Sequence, residues 1–201
     1  MKSKKIIRVD NPVVLVEKKK DFLPENYQFI YVGRVSEEKG VELFCQAIEQ
    51  AKETVQEIEG IVIGDGDKRD ELEKKFKSVE FVGWKTTEQV QEYMSSARAL
   101  VFPSKWYETF GLTVAEALSA GLPCIVSSVT VAAENILDGQ NGLIFKPDDL
   151  NKLTECIVSV CDDEIWENFH DVISNEFESE YYNLCNYSRR LIQAYCIATE
   201  G

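Results

Sequence analysis

The sequence predicts an α/β domain built on a doubly wound, parallel, Rossmann-like sheet with helices on both faces. Short apolar runs such as Gly60-Ile61-Val62-Ile63-Gly64 alternate along the chain with segments whose apolar residues recur at helical spacing. The runs are unbroken rather than alternating, as expected of strands covered on both sides. Several end in glycine followed by a charged or polar residue, at Gly33-Arg34, Gly64-Asp65-Gly66 and Gly83-Trp84-Lys85. In a sheet of this kind ligands bind at the carboxyl ends of the strands.

The elements follow in order. Gln28 to Gly33 reads as a strand, and Val41, Phe44, Cys45 and Ile48 mark a helix. Gly60 to Gly64 is the second strand, followed by a charged helix over Asp67 to Phe76 with Asp67 as its expected N-cap. Val79 to Gly83 is the third strand, and Val90, Tyr93, Met94 and Ala97 mark the next helix. Ala99 to Phe102 is the fourth strand. Thr113 to Ala120 then combines good helix formers with an apolar stripe at Val114, Ala117 and Leu118. Gly121 suits a left-handed cap and Pro123 stops continuation. Cys124 to Val126 and Gly142 to Phe145 are the last two strands, and Leu150, Leu153, Ile157 and Val160 mark a helix. The reading divides the chain into a connector, 1–27, with one candidate strand at Val13 to Val16, a core domain, 28–161, and terminal helices, 162–201. In the terminal helices Leu184, Leu191, Ile192 and Tyr195 share a face.

Composition narrows the function. At 201 residues the chain fits one domain, and a chain of this length buries roughly 70% of its unfolded surface. A net charge of −13 argues against a general nucleic-acid binder, while leaving room for a local basic pocket. There is no apolar run long enough to span a bilayer and no signal-peptide core. The six cysteines form no Cys-x-x-Cys and are expected to be reduced and packed. His170, the single histidine, cannot by itself build a histidine triad or a zinc cluster.

The chemistry-bearing residues lie after the strands. Gly33-Arg34-Val35-Ser36-Glu37-Glu38-Lys39-Gly40 puts a planar multiple donor, Arg34, and a point charge, Lys39, near a strand end and a helix start. They suit a diphosphate clamp, or else they are surface cations beside Glu37 and Glu38. Gly64-Asp65-Gly66-Asp67 is a tight turn and not a dinucleotide fingerprint, because Arg69 stands at the third glycine position. Trp84 and Lys85 flank a base or cover the sheet edge. Glu108 and Glu116, with seven residues between them, bracket Phe110-Gly111-Leu112-Thr113. That segment sits at a helix N-terminus, where free N–H groups and the positive dipole end favour an anion. Gly111 leaves room for a ligand to approach. Glu108 precedes the helix and Glu116 lies about a turn inside it, so they are placed to hold different parts of one ligand.

Taken together, Gly33-Arg34 with Lys39-Gly40, the stretch from Pro103 to Glu108, Glu108-x7-Glu116 and Asn135 to Phe145 resemble the C-terminal, donor-binding lobe of retaining GT-B glycosyltransferases. The type is family 4, or "glycosyl transferases group 1", and the likeness runs from about Tyr27 to Asp149. The resemblance implies that Gly33, Arg34 and Lys39 hold the donor pyrophosphate and that Glu116 accepts from the ribose hydroxyls. It further implies that backbone groups of Gly111, Leu112 and Thr113 meet sugar and phosphate, that Trp84 and Lys85 bracket the base, and that Glu108 faces the reacting sugar. No cofactor or metal is implied. The Arg/Lys pair and the helix dipole would stabilise the departing diphosphate of a UDP- or GDP-linked hexose. One departure stands out: where such enzymes often carry a glycine pair ahead of a glutamate matching Glu134, this chain has Ser127-Ser128-Val129-Thr130-Val131.

GT-B enzymes close a cleft between two lobes, and this chain has room for one. The expected partners are therefore a nucleotide sugar, a glycan or lipid-linked acceptor, and an N-terminal lobe in cis or in trans. The isolated chain is expected to transfer little. A cytoplasmic location is expected, with contact to the inner membrane face through the other lobe. The alternatives are a nucleotide-sugar-binding subunit of a split enzyme and a GT-B relative such as a sugar-nucleotide epimerase. The epimerase would need acid/base groups that this motif set does not supply.

Overall fold

The computed structural model describes residues 7–9, 11–15, 23–108, 110–177 and 179–199. Six strands form one sheet: β1 (Gln28–Val32), β2 (Glu59–Ile63), β3 (Val79–Gly83), β4 (Ala99–Phe102), β5 (Cys124–Ser127) and β6 (Gly142–Phe145). Their order is β3-β2-β1-β4-β5-β6 and every neighbouring pair is parallel. This is the doubly wound arrangement the sequence predicts. The order reverses between β1 and β4, which opens a crevice at their carboxyl ends.

The helices are α1 (Val41–Lys52), α2 (Arg69–Lys75), α3 (Thr87–Met94), α4 (Leu112–Ser119), α5 (Leu150–Val160), α6 (Asp163–Glu176) and α7 (Leu184–Thr199). Successive residues of β1 serve opposite faces, as the pleat requires. Phe29 and Tyr31 join a core with α1 and α5, where Phe44, Ile48, Leu153 and Ile157 are fully buried. Ile30 joins the other core, with Met94 of α3 and Val114 and Leu118 of α4. Two-sided burial explains the unbroken apolar strands. α6 adds Trp166 and Phe169 to the first core.

Two local expectations change. The segment Val13–Leu15 is not a strand: the Val13 amide donates to the Tyr182 carbonyl at 3.1 Å, and Val13 packs against Ala115 and Tyr182 instead of a ladder. Val16 lies outside the described residues. Asp67 does not cap α2. Lys68 N donates to Val35 O in the loop after β1 and Arg69 N to Gly66 O within the turn, and the helix starts at Arg69. Of the residues expected to share a face in the terminal helices, Leu184, Ile192 and Tyr195 of α7 are exposed.

All six cysteines are free. Cys45, Cys124, Cys156 and Cys161 are buried, whereas Cys185 and Cys196 of α7 are exposed. Burial pushes the thiols of Cys156 and Cys161 up to about 11, so they pack as small apolar groups. His170 is structural. Its Nδ1 lies 2.7 Å from the Gly121 carbonyl and its ring stacks on Trp166, which fastens α6 to the end of α4.

Candidate functional site

A cavity of about 640 Å³ opens at the carboxyl end of the sheet, within the size range of small-molecule sites. Its floor is the ends of β1 and β2, at Val32, Gly33, Ile63 and Gly64. Arg34 and Lys39 stand on one side, Thr113 and Glu116 of α4 on another, and Trp84 and Lys85 after β3 form the rim.

Two loops make the cationic side. The 33–40 loop is held from below by Tyr31, whose hydroxyl donates to the Arg34 carbonyl at 2.6 Å. Burial, then the nearby charges of Glu108 and Glu38, keep the Tyr31 proton firmly bound. The 103–108 loop is fastened on top, with Lys105 N donating to Glu38 O at 2.9 Å and Ser104 Oγ to the same oxygen at 3.3 Å. Gly40 makes this contact possible: at φ +71 it is left-handed, and a Cβ there would stand 2.1 Å from the Pro103 carbonyl oxygen. Lys39 Nζ lies 2.8 Å from Glu108 Oε1 across the junction. Trp106 and Tyr107 leave the same pinned loop and are exposed.

α4 makes the opposite wall. Gly111 is its N-cap, left-handed at φ +73. A Cβ there would come within 2.4 Å of the Ala132 Cβ, so packing against the turn Val131–Asn135 explains this glycine without any ligand. The amides of Leu112 and Thr113 precede the first bond of the helix, from Val114 N to Gly111 O at 3.0 Å, and Thr113 carries that end into the cavity. Glu116 is half-buried one turn on. Desolvation raises its carboxyl above the ordinary glutamate value, and no described side chain pairs with it.

The structure therefore brings Gly33, Arg34, Lys39, Trp84, Lys85, Thr113 and Glu116 into one cavity wall. Glu108, Gly111 and Leu112 are not among the residues that line it: Glu108 is ion-paired to Lys39, which is, and Leu112 is exposed. Thr109 lies outside the described residues. Trp84 is 80% exposed at the rim. The sequence reading placed the helix α3 but did not assign it to the site; it contributes Thr87, Val90, Gln91 and Met94 to the lining. Its signal was the capping box between Thr86 and Gln89 directly after Trp84-Lys85, which starts the helix at the rim.

The profile of the family described as "Glycosyl transferases group 1" matches residues 26–163, the whole sheet and its covering helices. The chain belongs to this family. Among curated group 1 relatives, the glycogen synthase of Mycobacterium tuberculosis is 31% identical over 142 residues, 68% of this chain and 34% of the relative. An uncharacterized glycosyltransferase of Methanocaldococcus jannaschii is 29% identical over 179 residues, 85% of this chain and 45% of the relative. The group 1 fold extends to a structure of S. aureus TarM, solved with fondaparinux, α-GlcNAc-glycerol and UDP. It superposes with a TM-score of 0.83 at 19% identity, over 96% of this chain and 40% of that one. This chain thus spans between a third and a half of the length of these proteins. Among the described residues no helix is long and apolar enough to cross a membrane.

Proposed function

We propose that this chain is the donor-binding lobe of a retaining glycosyltransferase that moves a hexosyl unit from a nucleoside diphosphate sugar to a glycan or a lipid-linked glycan. The convergence of Arg34, Lys39 and Glu116 in one cavity carries the reading. In an acidic chain, the cations of this wall match a diphosphate. A carboxylate without a protein partner, on the facing helix, matches a vicinal diol such as that of ribose. The exposed ring of Trp84, beside Lys85, offers a face for the base.

In the proposed reaction the bond between the sugar's anomeric carbon and the diphosphate oxygen breaks, and the acceptor oxygen bonds to the same face of the sugar. Negative charge grows on the leaving diphosphate. Arg34, Lys39 and the N-terminal amides of α4 are fixed donors for that charge, a role that elsewhere falls to a metal ion. On this reading Glu108, ion-paired to Lys39, is assigned to the sugar end of the donor. The acceptor would be held by a second lobe facing this cavity, so the chain alone would bind donor weakly and transfer little.

Calorimetric titration with UDP, GDP and ADP tests the reading, using wild type, Arg34→Ala and Glu116→Ala. One nucleotide is expected to bind selectively, without added divalent metal, and both substitutions to weaken it. Equal affinity in all three proteins would place the nucleotide elsewhere.

A further inference from the structure

Lys39 belongs to the cavity wall, but its ammonium is already engaged. Glu108 Oε1 lies 2.8 Å from it in an ion pair. Glu108 is outside the cavity, its side chain is 17% exposed, and Oε1 is buried and accepts no hydrogen bond from any described group. The buried Tyr31 hydroxyl, whose proton Glu108 helps to hold, is committed to the Arg34 carbonyl. Lys39 is therefore the neutralising partner of Glu108 among the described residues.

We propose that Glu108 is an internal competitor for Lys39 and makes the site discriminate against sugar-free nucleoside diphosphates, an inference that rests on the donor-site reading above. A diphosphate entering the cavity draws the Lys39 ammonium toward its oxygens. Glu108 then keeps a charge with little solvent and no partner, and leaving one member of a partly buried pair alone is costly. A sugar nucleotide offsets that cost, because the hydroxyls of its sugar can donate to Glu108. A nucleoside diphosphate carries nothing at that end. The donor is thus retained, and once the sugar has left, Glu108 reclaims Lys39 and the diphosphate product is released.

The test is calorimetry on the chain with UDP and UDP-glucose, or GDP and GDP-mannose if guanine is the base that binds. Glu108→Gln is expected to tighten the sugar-free diphosphate about three- to tenfold, and to leave the sugar nucleotide unchanged or weaker. In a Lys39→Ala background the same substitution should have no effect on either ligand. Glu38→Gln removes a fully exposed carboxylate near the same cations and should shift both ligands alike. Thermal melts of each variant check that the fold is intact. Equal tightening of both ligands by Glu108→Gln, an unchanged UDP affinity, or an effect that survives without Lys39 would overturn the proposal. If no diphosphate binds wild type, the donor site itself fails and takes this inference with it. If binding is lost in Arg34→Ala but indifferent to Glu108→Gln, the donor site stands and only the competition is refuted.

Discussion

Arg34 and Arg98 stand at opposite ends of neighbouring strands and are held in opposite ways. Arg98 immediately precedes β4 and is fully buried. Its Nε donates to Val160 O at 2.7 Å, and its Nη2 donates to Cys161 O at 2.9 Å and to Asp163 Oδ1 at 2.8 Å. Tyr27 and Trp166 lie near its guanidinium, and the Trp166 indole donates to the Arg98 carbonyl. It satisfies the last carbonyls of α5 and ties α5 and α6 to the sheet. Arg34 follows β1 at the other end, in the cavity wall, and no described side chain engages its guanidinium. One end of the sheet uses its arginine's donors inside the protein. The other end leaves them without a hydrogen-bonding side chain among the described residues.

The largest effect expected from this contrast is in stability. Arg98→Met removes the donors and strands two buried carbonyls, which should cost about 3–5 kcal/mol and lower Tm by about 10 °C. A melt within about 2 °C of wild type would show that water replaces the guanidinium and that the amino end is looser than its burial implies. Arg34→Ala should do the reverse. Its Tm should stay near that of wild type, while nucleoside diphosphate affinity falls about 10- to 100-fold, the worth of one or two charge-assisted hydrogen bonds. A parallel loss of Tm would mean that Arg34 has a structural load absent from the contacts described.

The same contrast decides what could be read from the sequence. The strands, their buried character, the loops that carry Arg34, Lys39 and Trp84 and the helix that carries Glu116 were legible because each depends on local pattern: an apolar run, a glycine, a charged residue after it, an apolar stripe at helical spacing. Arg98 was not legible. Nothing in Ser96-Ala97-Arg98-Ala99 separates a buried arginine from an exposed one, since its partners lie more than 60 positions away. Tyr31 was hidden for a related reason. It reads as one more apolar residue of a strand, and only the fold aims its hydroxyl at the Arg34 carbonyl. The α7 face shows the same limit. Helical spacing identifies an apolar stripe but not whether the chain supplies a surface to cover it, and Leu184, Ile192 and Tyr195 remain exposed. Gly111 was placed at the helix start, but the nearness of Ala132, which a side chain there would meet, is a tertiary fact.

Tyr31 lets the contrast be sharpened, since it is a buried group serving the open end. Tyr31→Phe keeps the ring against Phe44 and removes only the bond to Arg34 O. It should cost about 1 kcal/mol of stability, and it should weaken UDP about threefold or more as the Gly33-Arg34 turn loosens. Uridine, which has no phosphate, should bind the variant as it binds wild type. If uridine weakens equally, Tyr31 supports the whole cavity rather than the phosphate turn.

The smallest expected effect concerns Glu116, and its sign makes it informative. Burial raises its folded pKa above the unfolded value. The folded chain therefore holds the proton more tightly than the unfolded chain, so this group's contribution to stability falls as pH rises from the unfolded pKa through the folded one. At neutral pH the charge is a cost to the fold. Glu116→Gln removes that cost and should leave Tm at pH 7 unchanged or slightly raised, with the difference vanishing as both proteins are acidified below the unfolded pKa. The same substitution should weaken nucleotide binding, because a charged acceptor for the ribose hydroxyls becomes a neutral amide. Wild-type affinity should decline on acidification through the raised pKa, whereas the variant's affinity should not follow that titration. A residue that burdens the free fold and supports the complex is the energetic mark of a binding site, the opposite of Arg98. If Glu116→Gln lowers Tm and binding together, Glu116 is a structural residue of α4, and the donor assignment rests on Arg34 and Lys39 alone.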